Sequence, residues 1–273
     1  MIVHRTENLF ARRGLAAARV MPGIALVACV ALLLLASCSE SQRLTVATDG
    51  SGSADVEVTL APMLVSYLHD LMASMGNTGG ADAGGTGAAS GAPPIFDLGR
   101  IRAAFGRLPG VSGVAVESPS EGSLSVRFAF RSLGALLEGP QTADGQNPIT
   151  LTKAGGATTI RFSLDRENVQ ALTSLPPVRD DPLFLALLPK GKGRVTEAQE
   201  LELLDYAFGD YAPEGSTVAA VVRASAIRVT LAVGGQIVSQ QGGTVQGNTV
   251  LFTLPLLRLL TLEQPIAYEV TYR

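Results

Sequence analysis

Four five-residue stretches share one alternation, and they limit what this chain can become. They are Val56-Glu57-Val58-Thr59-Leu60, Val126-Arg127-Phe128-Ala129-Phe130, Ile160-Arg161-Phe162-Ser163-Leu164 and Val250-Leu251-Phe252-Thr253-Leu254. Successive side chains of a strand point to opposite faces, so the first, third and fifth residues of each stretch share one apolar face. Each stretch follows a glycine-containing turn and precedes a leucine-rich segment of helical character. The pattern predicts an α+β fold: antiparallel sheet built from recurring strand-strand-helix units, with helices mainly on one face. Irregular spacing between the units leaves two readings open, a true internal repeat or the ordinary form of half-buried hairpins.

Local signals fill in the rest. Leu44 to Thr48 and Ala54 to Leu60 flank the turn Asp49-Gly50-Ser51-Gly52 and read as a hairpin. Pro62 suits a first helical turn, and Met63, Leu64, Tyr67, Leu68, Leu71, Met72 and Met75 continue at helical spacing. Residues 76–94, rich in Gly and Ala, are expected to form a flexible loop, because such a run buries too little apolar surface to offset its ordering entropy. A helix is expected over Ile95 to Leu108. Hairpins follow at 111–131, 149–164 and 227–240, with a short helix over Ser132 to Leu137. Asp165 is placed to cap a helix over Arg166 to Leu172. Thr196-Glu197-Ala198-Gln199 is a capping box for a helix running to Phe208. A strand over 249–254, a helix over Leu256 to Leu262 and a strand over Ile266 to Tyr272 complete the series.

The amino terminus has a different character. Arg5, Arg12, Arg13 and Arg19, with Glu7 as the lone acid, precede an apolar run from Ile24 to Ala36. A basic start, an apolar middle and small residues before a cut describe a secretory signal peptide. The run is shorter than the roughly 20 apolar residues of a spanning helix. Its end, Leu35-Ala36-Ser37-Cys38, resembles the lipobox of bacterial lipoproteins. That resemblance implies a diacylglyceryl thioether on Cys38, cleavage before it, and acylation of the new amine, with palmitate as the expected acyl group. The expected organisation is a cleaved signal peptide over 1–37, a polar tether over 38–43 and one envelope domain over 44–273. The expected location is the bacterial cell envelope. The outer membrane is preferred because Ser39 is not the aspartate that resembles an inner-membrane retention signal.

Composition excludes several kinds of chemistry. The chain carries 21 basic and 24 acidic residues, a formal net charge of −3. With four arginines in the leader, the remainder is more acidic still, which disfavours nucleic acid as a partner. Tryptophan is absent, so stacking platforms for bases are poorly supplied. Cys29 falls in the leader, which leaves Cys38 without an intrachain disulfide partner. His69 is the sole histidine beyond the leader, too few ligands for a His/Cys metal site, and it reads as a surface residue. No Gly-x-Ser-x-Gly elbow accompanies it. Asp180, Asp181, Asp205 and Asp210 read as turn, cap and solvated positions, and the Gly76 to Gly91 run lacks the Gly-Lys-Ser/Thr ending of a phosphate loop. The expectation is a non-enzymatic protein with no metal and no cofactor.

One segment stands out as a candidate contact site. Leu183, Phe184, Leu185, Ala186, Leu187 and Leu188 form an apolar run between Pro182 and Pro189, and Lys190, Lys192 and Arg194 follow at once. Core burial is the ordinary fate of such a run. The cations favour a second reading, in which the segment lines or guards an apolar site and meets anionic headgroups. Leu254 to Leu262 is a similar apolar stretch, interrupted by Arg258.

Beyond the lipobox, the order of elements resembles the LppM-type lipoprotein domain. The residues that carry the likeness are the Leu44 to Leu60 hairpin, the helix after it, the further hairpins, and the late strands from Ile227 to Thr253 with Gly234-Gly235 and Gly247-Asn248. The resemblance implies an association with envelope lipids and no established catalysis. The chain departs from it by ending at Arg273 without a C-terminal membrane helix, so the lipid on Cys38 is the expected anchor. Two functions follow as expectations. One is a membrane-anchored lipoprotein that binds an apolar or amphipathic ligand or a membrane surface. The other is a structural or assembly subunit that binds another envelope protein. An apolar cavity closed to solvent favours the first, and a flat exposed apolar patch of several hundred Å² favours the second.

Overall fold

The computed structural model describes residues 37–76, 94–137, 147–169 and 195–273. The fold is α+β, with two sheets and six helices among the described residues. Strand β1 (Ser37–Val46) pairs antiparallel with β2 (Gly52–Leu60) across the expected Asp49-Gly50 turn. The second hairpin, β3 (Val111–Glu117) and β4 (Ser123–Phe130), joins through β4 to β2. On its other side β1 runs parallel to β7 (Ala226–Val233), which pairs with β10 (Thr249–Pro255) and then β9 (Gly243–Gln246). The order of this seven-stranded sheet is β3-β4-β2-β1-β7-β10-β9.

A four-stranded sheet, β5-β6-β11-β8, is built from β5 (Ile149–Ala154), β6 (Ala157–Leu164), β8 (Ile237–Gln241) and β11 (Ile266–Tyr272). Consecutive strands β8 and β9 belong to different sheets. Only Gly242, at φ 82°, lies between them, and a Cβ there would sit 2.6 Å from the Tyr268 ring. Glycine lets the chain turn sharply at this point and cross from one sheet to the other. The expected 227–240 hairpin is therefore corrected: β7 pairs with β1 and β10, while β8 pairs with β11. The reason lies at Gly234-Gly235, where the Thr48 and Arg273 main chains approach too closely for side chains and the strand is led away from its predecessor.

Residues 38–43, read from composition as a tether, form the first half of β1, with a regular ladder from Ser39 onward. A strand with one solvated face carries polar residues at alternate positions, so polarity over a few residues does not separate strand from linker. Ser41, Arg43 and Thr45 are the exposed, outward set.

Helices gather at one end of the sheets. Helix α1 (Pro62–Gly76) follows β2; α4 (Glu197–Phe208), α5 (Val218–Ala224) and α6 (Leu256–Thr261) pack around it and each other. Their apolar faces meet the strand ends at Leu164, Ile227, Leu254 and Ile266. Tyr67 of α1 packs edge-on against Phe208 and Tyr211, at 5.0 and 5.7 Å between ring centroids. The capping box of α4 forms as expected: Thr196 accepts from the Gln199 N–H, and the Gln199 side chain accepts from the Thr196 N–H. Asp165 accepts from the N–H groups of Glu167 and Asn168, at 2.8 and 2.9 Å. Arg166 donates to the carbonyls of Thr261 and Leu262, which end α6. There the cation meets the negative end of the helix dipole.

Two further helices attend the sheet edge. Helix α2 (Leu98–Gly106), shorter than expected, is capped by Asp97 and sets Phe105 against Phe128, 5.2 Å between centroids. Helix α3 (Leu133–Leu137) follows β4 with Leu133 and Leu136 buried. The expected loop over 76–94 falls mainly on residues 77–93, outside the described residues. No helix among the described residues is long and apolar enough to cross a membrane.

Candidate functional site: an apolar cavity between the sheets

Register across the large sheet lines up the inward side chains in rows. Phe128, Ala54, Leu44, Leu231 and Val250 stand side by side on β4, β2, β1, β7 and β10. The next row toward the helical end is Val126, Val56, Gln42, Val229 and Phe252. Leu124, Val58, Ile227 and Leu254 continue the series on four of the strands. The small sheet faces these rows with Ile149, Phe162 and Tyr268 in one register and Leu151, Ile160 and Val270 in the next.

The two faces do not fill the space between them. A cavity of about 220 Å³ remains, bounded by both sheets and by Leu133, Leu136 and Leu137 of α3. The space is partly open to solvent, a pocket between the sheets and not an enclosed void. It exceeds the roughly 150 Å³ of an apolar cavity known to stay dry and admit benzene. Leu44 and Val229 are only half-buried although they occupy central strands, because their outer atoms face the cavity and not a neighbour.

The lining is almost wholly hydrocarbon. Among the described residues that line it, Gln42, Arg43 and Tyr268 carry polar side-chain atoms. The Tyr268 hydroxyl donates to the Thr253 carbonyl at 2.7 Å, and burial pushes the phenol above its ordinary pKa, so it stays neutral at physiological pH. Gln42 interrupts an otherwise apolar row between Val56 and Val229. Arg43 also borders the cavity, but alternation along β1 turns its side chain to the solvent face, where it is exposed. Such a wall offers burial to an apolar guest and hydrogen bonds at very few points.

The residues singled out from sequence stand elsewhere or outside view. Leu183, Phe184, Leu185, Leu187, Leu188, Lys190, Lys192 and Arg194 lie outside the described residues, as do Asp180 and Asp181. Cys38 sits at an irregularity of β1: Ser37 is opposite Leu60 and Ser39 opposite Thr59, which leaves Cys38 as the extra residue. His69 tethers α1 to the β3–β4 turn through a 2.8 Å contact between its Nε2 and Glu121. Asp205 and Asp210 lie exposed on and after α4, and no group of three metal-ligating side chains occurs among the described residues.

Sequence reasoning missed the cavity because alternation shows which face is apolar, not whether the facing layer fills it. One signal was available. The alternation of Gln42, Leu44 and Val46 on one face and Ser41, Arg43 and Thr45 on the other extends the first strand upstream of Leu44 and turns a glutamine inward.

Comparison with known proteins adds little. No protein-family model matches the chain, and no curated protein matches it. A solved structure with some likeness is the folded domain of the Mycobacterium tuberculosis LppM protein, determined by NMR. It is 12% identical, with a TM-score of 0.35, over 86% of this chain and 88% of that one. This is the domain type whose order of elements the sequence resembles, and at these values it remains a likeness on which nothing below depends.

Proposed function

We propose that the protein is a non-enzymatic binding protein that takes an apolar or amphipathic molecule into the cavity between its sheets. The observation that carries this reading is the hydrocarbon-lined space of about 220 Å³ between the two sheets, partly open to solvent. Exposed large apolar residues give the assembly reading less support. Leu203, Tyr206, Val238, Val245 and Leu251 are spread over α4, β8, β9 and β10, and isolated apolar residues are a normal surface feature.

The reading includes attachment to a bacterial envelope membrane through lipid on Cys38. The lipobox-like Leu35-Ala36-Ser37-Cys38 supports it, and so does the ladder: a cut before Cys38 leaves every regular pair of β1 from Ser39 to Val46 intact. With no tether between lipid and strand, the domain would sit directly on the bilayer.

Binding is tested by titrating a polarity-sensitive anilinonaphthalene probe against the protein and displacing it with aliphatic competitors. Saturable binding, displaced one for one and lost when the cavity is filled, is the expected result. Non-saturable partitioning that ignores cavity substitutions would sink the proposal. Anchoring is tested separately by mass spectrometry of the mature amino terminus. Cys38→Ala should leave an unprocessed, unlipidated precursor, and a native mature terminus at another residue would rule the anchor out.

A further inference from the structure

Resting on the binding reading above, we infer that the occupant is a single unbranched aliphatic chain, drawn out along a channel that crosses the large sheet on a diagonal. The lining residues trace that course strand by strand. On β4 the lining is Phe128, and on β2 it takes in Ala54 and, one row further, Val56. On β7 it extends from Leu231 through Val229 to Ile227, and on β10 it has moved on to Phe252 and Leu254. Inward residues off this diagonal are packed solid: Leu124 and Val126 on β4, Val58 on β2 and Val250 on β10 are fully buried and lie outside the lining. Helix α3 bounds the Phe128 end, where the Leu133 N–H donates to the Gly50 carbonyl of the β1–β2 turn.

The dimensions decide the shape of the guest. From β4 to β10 there are four interstrand steps of about 4.8 Å, about 19 Å in all. A volume of about 220 Å³ drawn out over such a length has a cross-section on the order of 10–20 Å². A methylene chain, whose carbons meet their neighbours at about 3.5–4.0 Å, needs on the order of 15 Å². Two chains abreast, or a fused ring system, need about twice as much. An extended chain advances about 1.25 Å per carbon, so about ten to fourteen carbons fill the channel once the side chains at its ends have taken their share. Both sheets can cover every one of those carbons. A compact molecule with as many carbons would have to push the sheets apart, which a close-packed interior resists.

The test uses the full chain carrying Cys38→Ser and the anilinonaphthalene probe. The competitors are the straight-chain alcohols from hexanol to tetradecanol, and adamantanol, a compact tricyclic alcohol with as many carbons as decanol. Affinity should rise about fourfold with each added carbon and level off between about ten and fourteen carbons. After each affinity is corrected for the alcohol's own water-to-octanol partition, decanol should bind at least about tenfold tighter than adamantanol. Ile227→Phe, which fills the end away from α3, should move the levelling to shorter chains and leave hexanol unchanged, with far-UV circular dichroism checking the fold. The series on the parent chain decides the matter even where that variant fails to fold. Adamantanol equal to decanol after the correction, or a saturable affinity that climbs with every carbon and never levels, would overturn the inference while leaving the binding reading intact. A parent chain that binds no probe at all would remove both.

Discussion

Ala54→Leu separates a real cavity from a packed core by the sign of its effect. Ala54 occupies β2 between Phe128 and Leu44, and its methyl group borders the empty space. Leucine adds three carbons. At about 0.8 kcal/mol per buried methylene the transfer gain is at most about 2.4 kcal/mol. Ordering the leucine side chain returns about 0.5–1 kcal/mol. The net expectation is a stabilisation of about 1–2 kcal/mol, readable as a raised midpoint in urea with an unchanged slope. If the facing side chains already filled the space, overpacking would cost about 1–3 kcal/mol instead. The same protein should lose most of its probe binding, because the added carbons occupy the ligand's volume. A destabilised variant, or a stabilised one that still binds the probe as before, would refute the reasoning.

Other expectations bear on the frame around the cavity. Gly52→Ala should cost several kcal/mol or prevent folding, since its Cβ would lie 1.9 Å from the Thr45 carbonyl oxygen and 2.6 Å from the Phe130 ring; chemical denaturation reads this directly. Arg166→Ala strips two carbonyls at the end of α6 of their donor and should destabilise by about 2 kcal/mol. Thr196→Ala removes one side of the α4 capping box and should cost about 1 kcal/mol. Glu200 is buried on α4, and desolvation raises its carboxyl pKa above the ordinary value, so the folded state holds this proton more tightly than the unfolded state. Its unfavourable contribution is therefore absent at pH below the unfolded pKa and complete above the folded one. Glu200→Gln should stabilise at pH 7, and the gain should vanish in acid.

Much of the secondary structure was legible, for identifiable reasons. Period-two apolar patterns marked β2, β4, β6 and β10 because each buries one face, and the Thr196 to Gln199 capping box fixed the start of α4. Pairing was less accessible. The parallel contact of β1 with β7 joins residues nearly two hundred positions apart, and nothing local encodes it. The passage from β8 to β9 between sheets depends on close approach of main chain at Gly234, Gly235 and Gly242, which looks in sequence like ordinary hairpin turns. Helix α5 was not anticipated, since its seven residues Val218–Ala224 are too few to establish a period. The candidate site was the least legible part. A cavity is a shortfall of volume between layers that are distant in the chain, and the apolar run over 183–188 lies outside the described residues.

The measurement that bears most directly on the central claim is the location of a bound guest. With Ile, Leu and Val methyl groups labelled, decanol added to the Cys38→Ser chain should give intermolecular nuclear Overhauser effects to Leu44, Val56, Val229 and Leu231. These four methyl-bearing residues face the cavity from three adjacent strands of one sheet. Leu203 and Val238, exposed on α4 and β8, should show none. Effects confined to such exposed residues, with the four cavity residues silent at saturating decanol, would contradict the account.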